Sequence, residues 1–313
     1  MAKFLDSYHQ LRQSIPVPAL RLTNPEACEY CDYTHYSQNC HYCILCLSSQ
    51  ACSYCFLCNG KHLVDCLYCG MSELCYESIE CLDCYRLTYS QDCTKCRDCH
   101  YCYQCFNCDS CFGCVALSNK KYCLFNRQLS QADYHQQLEL VKQQSLDQIL
   151  SQFTLLKQST PVPQSMQRQT ENCPYGDYIT NCKDMYWGFN SYYVENSGYI
   201  YDSGMARDSW DTSFGGGSAS GSNLQAMLSG TWQELCYEIC GGSSNYHSAF
   251  LEYCSLCTNC YYSSGLSNCT DCFGCVGLKN KQSCVLNNQL TPDQYPHALA
   301  VIRSELGWPD PLP

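Results

Sequence analysis

Thiol chemistry dominates this sequence. Cysteine supplies 33 of 313 residues, and many of these fall in Cys-x-x-Cys pairs. One such pair presents two sulfurs to a metal ion, and two pairs complete a closed tetrahedral thiolate site. The pairs are Cys28/Cys31, Cys40/Cys43, Cys52/Cys55, Cys66/Cys69, Cys81/Cys84, Cys93/Cys96 and Cys105/Cys108, and their starts advance by 12, 12, 14, 15, 12 and 12 residues. From Cys93 to Cys114 a cysteine falls at every third residue.

The elements that carry these sulfurs are duplicated. Shifting the chain by 161 residues aligns 73–129 with 234–290 without a gap, with 24 of 57 positions identical. An offset of 145 aligns Gln13, Ser14, Pro16, Val17 and Pro18 with Gln158, Ser159, Pro161, Val162 and Pro163, and then Cys28, Tyr30 and Asp32 with Cys173, Tyr175 and Asp177. The two offsets place an insertion in the second copy around 185–230, where Phe214–Gly221 reads as a Gly/Ser loop without the lysine of a phosphate loop. The expected division is a first Cys-rich copy over 1–145 and a second, degenerate copy over 146–313. Each copy opens with an amphipathic helix (Phe4 to Gln13; Leu146 to Gln158) and closes with another after Ser130 or Thr291, where capping signals precede apolar residues at helical spacing. Residues 130–158 suit either one long helix or a helix pair.

Short repeats of near-constant length, rich in Cys, Tyr, Ser, Asn and Gly, mark a parallel β-solenoid in which equivalent side chains stack in columns. The expected fold is therefore mainly β, with two tandem Cys/Tyr-rich solenoid units, rungs of about 12–15 residues and flanking helices. Period three also suits polyproline II, but glycine is too scarce for packed helices of that kind, so rungs with very short faces and frequent corners are favoured. Tyr30, Tyr42, Tyr54 and Tyr68 hold the third position of consecutive rungs and should stack as an aromatic ladder.

The run Leu63-Val64-Asp65-Cys66, Glu73-Leu74-Cys75-Tyr76-Glu77, Cys81-Leu82-Asp83-Cys84-Tyr85 and Cys111-Phe112-Gly113-Cys114-Val115 through to Asn126 and Gln128 resembles the cysteine-rich repeat proteins of candidate-phyla-radiation (Patescibacteria) bacteria. The likeness spans most of both copies. It implies the repeat architecture and a bacterial setting, and it carries no assigned activity and no catalytic residues.

Zn–S bonds near ~2.3 Å bring the sulfurs of one site within roughly 4 Å of each other, and neighbouring rungs lie about 4.8 Å apart, so stacked pairs converge. The same spacing lies inside the disulfide window, so geometry leaves metal, free thiol and bridge open. Cysteines kept in both copies are the better ligand candidates: Cys93, Cys96, Cys99, Cys108, Cys111 and Cys114, with Cys254, Cys257, Cys260, Cys269, Cys272 and Cys275. Cys40, Cys43, Cys52 and Cys55 form the next most regular set, and His41 and His100 each flank a cysteine. Zn²⁺ leads among metals because closed Cys₄ sites are its commonest structural form, with an iron–sulfur cluster as its rival. A metal-free ladder of packed thiols is the alternative, because Cys81, Cys84, Cys102 and Cys105 face Gly242, Asn245, Ser263 and Leu266.

A net charge of −11, with 29 Asp+Glu against 18 Lys+Arg, argues against a phosphate-driven grip on nucleic acid. No run of 18 apolar residues and no leader pattern occurs, which leads to the expectation of a cytoplasmic protein with no membrane contact. No nucleophile–base pair or carboxylate dyad emerges, so the expected function is a non-enzymatic metal-binding module that recognises a protein partner.

Overall fold

A computed structural model describes residues 3–16, 97–106, 109–215, 233–242 and 244–308, with short stretches and single residues between 22 and 91. The described chain is mainly β, with four helices: α1 (Lys3–Ser14), α2 (Gln131–Val141), α3 (Leu146–Ser159) and α4 (Gln294–Leu306). Two compact units emerge, one of residues 1–17, 164–219 and 223–313 and the other of residues 18–163 and 220–222.

Apart from a closing antiparallel hairpin in each unit, the described strands pair in parallel, mostly at a register of twelve. In the first unit Gly176 lies beside Gly188, Met185 beside Ser197, Cys236 beside Ser248, Tyr246 beside Thr258, and Cys260 beside Cys272 and then Cys284. The register lengthens at Gln233–Gly242, where Ala206 pairs Gln233 and Trp210 pairs Tyr237, so the extra residues of the second copy fall between Gly215 and Gln233. In the other unit Cys99 pairs Cys111, which pairs Cys123, and Cys40 pairs Cys52.

Within each twelve-residue turn the backbone bends at every third residue. Tyr253, Leu256, Asn259, Tyr262, Gly265, Asn268, Asp271 and Gly274 all have φ between +49° and +67°. The residue after each bend points inward: Cys254, Cys257, Cys260, Ser263, Leu266, Cys269, Cys272 and Cys275 are all buried. Period three is therefore the spacing of corners and not of polyproline II. Left-handed backbone costs an ordinary L-residue about 1–2 kcal/mol, least for Asn, Asp and Gly, and those types fill many corners. Several corners repay part of that cost with side-chain bonds one turn apart, such as Asn172 Nδ2 to Asp184 Oδ1 at 2.8 Å, Asn259 to Asp271 at 3.0 Å and Asn268 to Asn280 at 2.7 Å.

The helices are placed by apolar contacts at helical spacing. Tyr134, Leu138 and Val141 of α2, with Ile149 of α3, pack on Phe112 and Leu124. A full capping box links Ser145 and Gln148, so residues 130–158 form a helix pair. The first helix departs from its expected place beside the first copy: Phe4 and Tyr8 of α1 join Tyr261, Phe273, Val276 and Ile302 in the unit that holds the second copy. The reason is local. Gly113 sits at a left-handed corner with the Phe125 ring over it, whereas at the equivalent Gly274 the following coil offers Leu286, and Phe4 supplies the ring. A β-carbon at Gly274 would lie 2.6 Å from Phe4.

Candidate functional site

The inward corners-plus-one form continuous columns of sulfur. Strands Thr258–Ser264, Thr270–Phe273 and Gln282–Val285 stack Cys260, Cys272 and Cys284, and strands Asp109–Phe112 and Lys121–Leu124 extend the column that starts at Cys99. Of the predicted ligands, Cys99, Cys111, Cys114, Cys254, Cys257, Cys260, Cys269, Cys272 and Cys275 are all buried and in no disulfide. Cys93, Cys96, Cys108, Cys43 and Cys55 lie outside the described residues, and only the backbone of Cys40, Cys52 and His41 is described. His100 faces the Phe112 ring at 6.1 Å.

Many of the buried sulfurs lie within reach of main-chain carbonyls. Cys102 Sγ meets the carbonyl oxygens of His100 (3.5 Å) and Cys111 (3.6 Å), Cys114 those of Phe112 and Cys123 (both 3.4 Å), and Cys260 those of Thr258 (3.3 Å) and Cys269 (3.6 Å). Serine in the same inward position does likewise: Ser191 Oγ meets the oxygens of Phe189 (2.9 Å) and Ile200 (3.5 Å). Inward cysteine thus acts as a small apolar residue with one weak donor.

Sulfurs also meet one another. Cys114 is approached by Cys102 and Cys111, Cys257 by Cys254 and Cys260, and Cys272 by Cys260 and Cys275. Thiol donation to the central sulfur pulls Cys114 and Cys257 down to about 4 and Cys272 to about 3, and raises the donors Cys111, Cys254 and Cys260. Away from these contacts burial dominates, pushing Cys182 up to about 11 and Cys236 to about 12. Burial opposes the charged form throughout, so each central sulfur is drawn down chiefly by the thiols that donate to it. Among the described residues, no group of three or more His, Cys, Asp or Glu side chains is disposed to hold a metal ion. A thiolate site would require the sulfurs to exchange their carbonyl contacts for the metal.

One feature escaped the sequence reading. Tyr175, Trp187 and Tyr199, spaced by twelve, line a groove of about 850 Å³ together with Phe189 and Tyr201. The signal was present as aromatic residues repeating at the rung length. No described helix is long and apolar enough to cross a membrane. Neither a scan of protein-family models nor a search of curated proteins gives any match to this chain.

Proposed function

We propose that the protein is a non-enzymatic interaction scaffold: a pair of parallel β-solenoids whose twelve-residue rungs are filled by buried cysteines that hold no metal and whose outer faces engage a partner protein. The observation that carries this reading is the shared behaviour of cysteine and serine at the inward position, each donating to the carbonyl two residues back and to one on the next turn. Such a column needs a reducing, cytoplasmic setting to remain as thiol. Its acidic surface suits a protein partner better than nucleic acid.

Structural zinc, or an iron–sulfur cluster, is the second reading. The approach of three sulfurs around Cys114, Cys257 and Cys272 favours it, because few rearrangements would turn such a cluster into ligands. Elemental mass spectrometry on anaerobically purified, untagged protein, with a thiol count after unfolding, separates the two. The scaffold reading expects no bound metal and nearly all thiols titratable. Two or more zinc atoms per chain would overturn it, and iron with reversibly bleached visible absorption would assign electron transfer instead.

A further inference from the structure

The groove lies on the second copy's coils, and three observations point to what fills it. The first is internal to the duplication. At the offset of 145, Tyr30, Tyr42 and Tyr54 correspond to Tyr175, Trp187 and Tyr199, while the residues that follow them, Cys31, Cys43 and Cys55, correspond to Gly176, Gly188 and Ile200. The cysteines differ freely between the copies here and the aromatics before them do not. Packing cannot account for this, because Tyr30 is 70 % exposed, Tyr42 54 %, Trp187 57 % and Tyr199 49 %.

The second is conformational. Tyr30, Tyr42, Trp187 and Tyr199 occupy left-handed corners at φ between +54° and +57°, where Asn or Gly would sit with less strain. Left-handed corners recur at every third residue of this fold, and Leu235 and Leu256 are also exposed at them, so the strain itself is general; these positions differ in holding large aromatic rings about half exposed or more in both copies.

The third is electrostatic. Within the groove Phe189 and Tyr201 stack at 5.6 Å and 10° and Tyr175 and Trp187 at 6.5 Å and 29°, as Tyr30 and Tyr42 do in the other unit at 4.9 Å and 6°, while Tyr175 and Tyr199 each meet Tyr186 edge to face. Stacked rings cover one another's faces and turn their edges outward, and the edge is the electropositive part of an aromatic ring. The Tyr175 and Tyr199 hydroxyls and the Trp187 indole N–H add donors. The one charged residue lining the groove, Asp177, is already held, its Oδ1 accepting from the backbone N–H of Met166 (2.7 Å) and Tyr178 (3.0 Å). The groove therefore offers ridges, positive edges and donors, with no uncommitted charge. Its complement is an uncharged, extended ligand rich in acceptors. A polyproline II segment has that chemistry: its carbonyls carry no internal hydrogen bonds, proline lacks the N–H that would compete, and its rings fit between aromatic ridges.

We propose that this groove binds a proline-rich, uncharged peptide segment in the polyproline II conformation. This rests on the interaction-scaffold reading, and names the partner's recognised feature. The test is calorimetric titration of the full chain with blocked decaproline, a blocked Gly-Ser peptide of equal length, and cellohexaose. Decaproline should bind and the Gly-Ser peptide should not. Trp187→Asn and Tyr199→Asn should each weaken binding by about tenfold, while Tm holds or rises because Asn suits a left-handed corner. Absence of decaproline binding at millimolar peptide, affinity unchanged in both variants, or binding of cellohexaose in its place would overturn the proposal. These outcomes are independent of the metal and thiol counts, so failure of the groove and failure of the thiol-column reading are read separately.

Discussion

Asn287 closes its coil stack by gripping both backbone groups of Val276: its Oδ1 accepts from the Val276 N–H and its Nδ2 donates to the Val276 carbonyl, each at 2.9 Å. Asn126 does the same to Val115 at 2.8 Å in both directions. The side-chain amide stands in for the peptide group of the next coil that is not there, and the chain then reverses into the antiparallel hairpin Val285–Asn288. Asn287→Ala leaves two strand-edge groups without partners and should cost about 1–3 kcal/mol. Asn287→Asp keeps the acceptor and loses the donor, so it should fall between the wild type and the alanine variant. Urea unfolding of the three proteins checks the order.

The Phe4 ring is 3 % exposed, packed edge-on to Phe273 at 5.1 Å and Tyr262 at 5.8 Å. Phe4→Ala should cost about 3–5 kcal/mol, the usual range for emptying a buried aromatic site. Because Phe4 fills the place over Gly274 that Phe125 fills over Gly113, the reciprocal change Leu286→Phe should recover part of the loss. Thermal unfolding of the single and double variants measures the recovery, and none at all would mean that α1 is held by its other contacts.

Much of this architecture is legible in the sequence because the interior admits one residue in three. The Cys93–Cys114 series repeats at that period, its described members Cys99, Cys102, Cys105, Cys111 and Cys114 are interior, and the shared Asn126 and Asn287 mark the last coil of each copy. Tyr30 on Tyr42 is stacked as their spacing predicts, while Tyr54 and Tyr68 lie outside the described residues. The docking of α1 was not legible, since it depends on a ring missing from position 286, some 280 residues away. A Cys-x-x-Cys pair is two successive inward positions separated by one corner, a pattern that packing and metal ligation share. Spacing alone therefore could not separate the two roles.

Asp202 gives the fold a pH dependence of uncommon sign. Its Oδ1 accepts from Asn190 Nδ2 at 2.6 Å, and its buried Oδ2 has no hydrogen-bond partner. Burial pushes the carboxyl up to about 6, against the opposing Asn190 bond. An unfolded Asp titrates near 3.9, so between about pH 4 and 6 the folded state holds a proton that the unfolded chain has released. Its contribution is therefore most favourable below about pH 4 and is lost as pH rises through 6, by something of the order of 2–3 kcal/mol. Asp202→Asn should remove this dependence and be more stable than wild type at pH 8, where the wild type holds a desolvated charge. Parallel urea titrations at pH 4.5 and 8 decide it: equal differences between the two proteins at both pH values would show that Asp202 is ionised throughout.

The sulfur columns make the sharpest demand on the scaffold reading. Cys257 and Cys260 lie between Ser248 and Ser263 in the inward series, and the backbone N–H of Cys260 donates to Ser248 Oγ at 3.1 Å, so hydroxyl and thiol are neighbours in one core. Cys260→Ser keeps a donor for the Thr258 and Cys269 carbonyls in a slightly smaller side chain, and should cost about 1–2 kcal/mol. Cys260→Val loses the donor while filling the space, at a similar cost, because the Cys269 carbonyl still accepts from the Thr258 N–H at 3.0 Å and Thr258 lies in a paired strand. A thiolate ligand behaves differently. Its loss would break a closed site and remove metal-derived folding energy of about 10 kcal/mol or more, unfolding the unit. Near-native circular dichroism and cooperative unfolding in both variants is the expected result, and collapse of either one to an unfolded chain would return the column to metal.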